Sequence, residues 1–82
     1  MGQMEISREE AKAIRPQLIT KIMKGNNTGL RATKKEYLNA IEKSHKIIKT
    51  EKNVMDQIDT YDVYCKCDGE EFMMSGLVTV MR

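Results

Sequence analysis

The stretch TKKEYLNAIEKSHKIIKTEKNVMDQI, residues 33–58, decides how the remainder of the chain has to be arranged. Wound at 3.6 residues per turn, Tyr37, Ala40, Ile41, Ile47, Ile48, Val54, Met55 and Ile58 fall on one stripe, with Lys35, Asn39, Glu42, Lys46, Lys49 and Asn53 opposite. Thr33, followed three positions later by Glu36, fits a capping box, and neither Gly nor Pro occurs between Thr33 and Ile58. The spacing predicts a single amphipathic helix of about seven turns. Ala40, Ile47 and Val54 recur every seven residues, as do Ile41, Ile48 and Met55, which is the spacing of a coiled-coil seam. Ser44 and Glu51 also fall within the stripe and read as positions at its edge or near solvent.

Upstream, Ser7 and Glu10 form a second capping pair, and Ala11, Ile14, Leu18, Ile19, Ile22 and Met23 keep helical spacing as far as Gly25. Pro16 falls inside that run, where its ring clashes with the preceding turn, so a kink or two short helices are expected. Residues 25–32 read as a loop by composition, with Leu30 as its anchor to the core. Residues 4–6 alternate briefly, as a short strand would.

Downstream the period changes to two. Tyr61, Val63, Cys65 and Cys67 alternate with Asp62, Tyr64, Lys66 and Asp68, and Asp68-Gly69 is a favoured hairpin turn. Folding the chain there sets Lys66 opposite Glu71, Cys65 opposite Phe72 and Val63 opposite Met74, so that charge meets charge and apolar meets apolar. The fold class expected is therefore α+β in a single domain, residues 1–82. Two or three helices, the last one long, precede a C-terminal antiparallel hairpin, whose second arm is either paired with residues 4–6 as a third strand or left open to a partner.

At 82 residues the chain is near the size at which one core leaves a few kcal/mol of net stability. Burying the long stripe is served equally by a monomer or by a homodimer through the helix. The net charge of +2 divides into +6 over residues 1–55 and −4 over residues 56–82. Two cysteines and a Lys-rich mixed surface suit a reducing cytoplasm, and no apolar run approaches a membrane span. Met1-Gly2 opens like a myristoylation motif, but Ile6 stands where that motif requires Ser or Thr.

Chemistry-bearing patterns are weak. Cys65 and Cys67 share one face of a strand about 7 Å apart, too far for an unstrained disulfide and too few for structural zinc, so both read as core residues. His45, the single histidine, has no nucleophile or orienting acid at local spacing. No enzymatic activity, metal or cofactor is expected.

Two binding surfaces remain. The acidic turn and second arm of the hairpin, Asp68, Glu70, Glu71, Met73, Leu77, Thr79 and Met81, would present an open strand edge to another protein with a basic surface. Alternatively Lys21, Lys24, Lys35, Lys46 and Lys49, on helical segments 16–24 and 33–58, with Arg31 leading into the second, would track a DNA or RNA backbone. A winged-helix arrangement fits the element order, but an acidic wing tip repels phosphate. The function expected is that of a small non-enzymatic interaction module of adaptor or inhibitor type. It is like phage or mobile-element accessory proteins in style alone, and a DNA- or RNA-binding regulator is the alternative.

Overall fold

The computed structural model describes residues 2–23, 29–51, 57–67 and 69–80, the side chain of Cys67 excepted. The elements in order are β1 (Gly2–Glu5), α1 (Arg8–Lys12), β2 (Leu18–Met23), β3 (Leu30–Arg31), α2 (Lys34–Lys43), β4 (Ser44–Glu51), β5 (Ile58–Cys67) and β6 (Glu70–Thr79). All six strands join one antiparallel sheet in the order β1-β4-β5-β6-β2-β3. This overturns the expected α+β arrangement of helices followed by a hairpin. Strand dominates, both helices are short, and the hairpin forms the middle of a sheet.

The long helix fails halfway. Its start is as expected: the Thr33 hydroxyl accepts from the Glu36 N–H at 3.1 Å, and the Glu36 carboxylate accepts from the Thr33 N–H at 3.1 Å. The helix stops at Lys43 because the carbonyls at its end are taken. Ser44 turns extended (φ −72°, ψ 147°), and its hydroxyl donates to the Ile41 carbonyl at 2.6 Å. Arg8 reaches over from α1 and donates to the same carbonyl at 3.2 Å and to that of Ser44 at 2.6 Å. Ser44 is thus buried at 4 % exposure rather than lying at a solvent edge. Beyond it Ile47, Ile48 and Thr50 are β-branched and favour a pleated backbone. Within β4 Ile47 turns toward the helices and Ile48 away from them, so the seven-residue recurrence is not a seam, and a homodimer through Ile41, Ile48 and Met55 loses its basis. Asn53, Val54 and Met55 lie outside the described residues.

The first helix is also shorter than expected. Ser7 accepts from the Glu10 N–H at 3.2 Å, but α1 ends at Lys12, before Pro16, and the chain is strand from Leu18. The spacing of Leu18, Ile19, Ile22 and Met23 satisfies either period. Pro16 decides between them, since it lacks a donor and restricts the residue before it to extended backbone. Of the expected loop, residues 30–31 are β3, and Leu30 is 51 % exposed rather than an anchor. Residues 24–28 lie outside the described ones.

The central hairpin has the register expected from its sequence, with Lys66 opposite Glu71, Cys65 opposite Phe72 and Val63 opposite Met74. Gly69 at φ +80° turns the chain, which its missing Cβ permits. The strand beside β6, however, is β2, from Leu18↔Leu77 to Met23↔Phe72, while β1 pairs with β4. Both helices lie on one side of the sheet, where Ala11, Tyr37, Ala40 and Ile41 pack on Ile19, Ile47, Val63, Cys65 and Met74. The Cys65 thiol is buried and donates to the Ala40 carbonyl at 3.0 Å. Tyr37 and Pro16 close over Gly76, whose bare Cα makes room for both.

The capping box carries a pH signature. The Glu36 carboxyl is held below its usual value of 4.5, first by the Thr33 backbone N–H and then by the Thr33 hydroxyl. A lowered folded-state value means that this support is complete above the unfolded-state value and is lost as pH falls through the folded one. Glu36→Gln keeps an acceptor but loses the charge. Its Tm is expected to fall below that of the parent at neutral pH, with the gap closing as pH drops well below 4.5, which thermal melts at stepped pH will show.

Candidate interaction face

Side chains alternate along a strand and directly paired residues share a face, so the pairing register sorts every described strand residue onto one side or the other. The side away from the helices has three main rows. Across the middle run Glu5, Ile48, Asp62, Ser75, Thr20 and Arg31. Toward the Gly69 turn lie Lys46, Tyr64, Met73 and Ile22, ending in Lys66 and Glu71. Toward the opposite end lie Thr50, Thr60, Leu77 and Leu18. Among the described residues no element covers these rows, and Ile22, Ile48, Tyr64, Met73 and Leu77 are all partly exposed.

Polar groups fill most of its middle row, and two of them are tied together. The Ser75 hydroxyl donates to the Asp62 carboxylate at 2.7 Å, placing both at the centre of the face. The Lys46 ammonium lies 5.9 Å from the centroid of the Tyr64 ring, a cation–π distance. The Tyr64 phenol is raised above its ordinary value, by burial first and by Asp62 second. Opposite charges stand at the two ends of the middle row, Glu5 on β1 and Arg31 on β3. Two apolar patches, Tyr64, Met73 and Ile22 on one side and Leu77 and Leu18 on the other, flank this polar row with charges around them, the mixed composition of a protein-contact surface.

The helix side holds its charges differently. The Lys49 ammonium is 3.6 Å from Glu51 and 3.8 Å from Asp59, itself only 3 % exposed. Lys21 stands 4.7 Å over the Phe72 ring. Lys12 pairs with Glu42 between the helices. Tyr37 is buried, and burial first, then Asp62 and Tyr61, push its phenol upward.

The structure divides the residues singled out by the sequence. Glu71, Met73, Leu77 and Thr79 share the uncovered face, Glu70 belongs to the other side at the turn, and Asp68 and Met81 lie outside the described residues. The open edge expected of β6 does not exist, because β5 and β2 pair with it on either side. The basic set is scattered. Lys46 and Arg31 sit on the uncovered face toward opposite edges, Lys21 and Lys49 face the other way, Lys35 is on α2, and Lys24 is not described. Sequence reasoning missed Leu18, Ile22, Ile48 and Tyr64 as surface residues. The alternation Leu18, Thr20, Ile22 was the available signal, masked by its equal fit to a helix. Among the described residues no group of His, Cys, Asp and Glu is placed to hold a metal ion, and no helix is long and apolar enough to cross a membrane. No family model matches the chain, and neither a curated protein nor a solved structure is similar to it.

Proposed function

We propose that the chain is a small non-enzymatic protein–protein interaction module of adaptor or inhibitor type, which acts by laying the uncovered face of its sheet on a partner. The observation that carries this reading is the patch formed by Ile22, Met73, Tyr64 and Ile48, with Leu77 and Leu18 across the row of Asp62, Ser75 and Thr20, on a sheet that helices cover from one side only. The Tyr64 ring with the flexible Met73 side chain beside it is suited to anchor a contact. The Asp62–Ser75 pair in the middle asks the partner for a hydrogen-bond donor or a cation. Glu71 at the turn end of the same face, with Glu70 beside it, steers toward a basic partner surface.

The test is an affinity capture from the native host with the parent chain, with Tyr64→Glu and with Leu38→Glu, each with and without nuclease. Leu38 is exposed on α2, away from the face, and serves as the control. Tyr64→Glu is expected to lower capture of the specific partner by at least about tenfold, as loss of an interface anchor does, while Leu38→Glu retains it. Equal capture by all three chains counts against this face, and capture that disappears with nuclease alone favours the nucleic-acid reading.

A further inference from the structure

We infer that the uncovered face of the sheet binds a second copy of this chain, in a two-fold dimer whose axis runs along the strands between β5 and β6. The inference rests on the interaction reading above and names its partner. Because the sheet order is β1-β4-β5-β6-β2-β3, that axis lays β1 over β3 of the second copy, β4 over β2 and β5 over β6. The pairing register then fixes who meets whom. Glu5 falls over Arg31 of the second copy, and Lys66 over its Glu71. Tyr64 falls over Met73, a favourable sulfur–aromatic contact repeated on both sides of the axis. Thr60 falls over Leu77, and Thr50 over Leu18. The two Asp62 carboxylates flank the axis, each between its own Ser75 and Ser75 of the second copy.

Charge selects this axis over the other face-to-face arrangement. A two-fold across the strands through the middle row would set Glu5 on Glu5, Asp62 on Asp62 and Arg31 on Arg31, like upon like in every case. The strand-parallel axis instead sets each Glu5 over an Arg31 and each Asp62 over a Ser75 of the second copy, and adds two Lys66–Glu71 pairs. The face is also balanced, with Glu5, Asp62 and Glu71 against Arg31, Lys46 and Lys66, so two copies approach without net repulsion across it. Six strands about 4.8 Å apart and some six residues long give on the order of 600 Å² per copy, the lower end of what stable interfaces bury. The dimer should accordingly be of micromolar rather than nanomolar strength.

Sedimentation equilibrium of the full chain and of charge-reversed variants tests the proposal. The parent mass should rise from 9.4 kDa toward twice that value as concentration passes through the micromolar range. Glu5→Arg and Arg31→Glu each create two like-charge contacts and should each weaken association about tenfold. Mixed one to one, the two variants regain both opposite-charge pairs and should associate as tightly as the parent. Both positions are exposed, so circular dichroism should show each variant folded. A parent chain that stays monomeric at high micromolar concentration, single variants as tight as the parent, or a mixture no tighter than either variant overturns the dimer. Self-association that survives Tyr64→Glu uses another surface and overturns it as well. None of these results bears on capture of a host protein, which is measured separately and decides the interaction reading.

Discussion

Ile47→Lys abolishes the folded state, whereas Ile48→Lys, one residue further on, leaves the sheet intact. That is the expected result of a pair of substitutions that are chemically identical and differ only in the direction β4 points them. Ile47 is 3 % exposed and stands opposite Val63, which is fully buried, beneath the α2 residues Ala40 and Ile41. An ammonium placed there loses its water without gaining a partner from these apolar neighbours, at a cost of several kcal/mol on top of the lost apolar burial. Net stabilities run at about 5–15 kcal/mol, and a chain this short belongs at the bottom of that range, so one such change removes most or all of it. Ile48 lies on the uncovered face between Glu5 and Asp62, where a Lys reaches both water and two carboxylates. Its cost should stay within about 1 kcal/mol. Far-ultraviolet circular dichroism with urea titration reads both. A helix carrying Ile47 and Ile48 on one stripe would have made the two variants fail together, so this pair tests the strand directly.

The same two isoleucines show why the fold was only partly legible. A stripe at 3.6 residues per turn and an alternation broken by a cap can present the same apolar positions over a short window, and residues 33–58 contain one followed by the other. The point of change is Ser44, and the groups that enforce it are distant. Arg8, on a different helix, occupies the carbonyls of Ile41 and Ser44, a contact that no local pattern announces. By contrast, the Thr33–Glu36 box and the register of β5 on β6 depend on residues close in sequence, and both were readable there. The face followed the fold. Met73, Leu77 and Thr79 were picked out for an edge that β2 in fact covers, yet their alternation places them together on the open side of the sheet. Tyr64, Ile22 and Ile48 joined them only once the register of β2 and β4 was known. The basic helix face dissolved for the same reason: with Lys46 and Lys49 in a strand rather than a helix, an odd spacing sends them to opposite sides.

Gly76→Val tests the close approach of β6 to Pro16 and Tyr37, and here two effects of opposite sign compete. Glycine in the interior of a strand is unfavourable, and valine is among the best strand residues, so propensity alone forecasts a gain of up to about 1 kcal/mol. Packing forecasts a loss. A Cβ at position 76 would stand 2.7 Å from Cβ and 3.0 Å from Cγ of Pro16, and 3.3 Å from Cε1 of Tyr37. The proline ring cannot rotate away, and Tyr37 is held in the core at 1 % exposure. Overpacking of this kind costs about 1–3 kcal/mol, and with a rigid ring as the obstacle and two further methyl groups to place, the upper figure applies. The net expectation is a loss of about 2 kcal/mol in urea denaturation, despite the better strand former. Pro16→Gly removes the ring and the Cβ that stands nearest, and should cost some stability alone, since Pro16 is buried. Combined with Gly76→Ala, however, it should cost less than the sum of the two single changes by roughly 1 kcal/mol or more, because the missing side chain at 16 makes room for the new methyl at 76. Additive losses would mean that the contact between Pro16 and Gly76 does not set the spacing between β6 and the segment that crosses it.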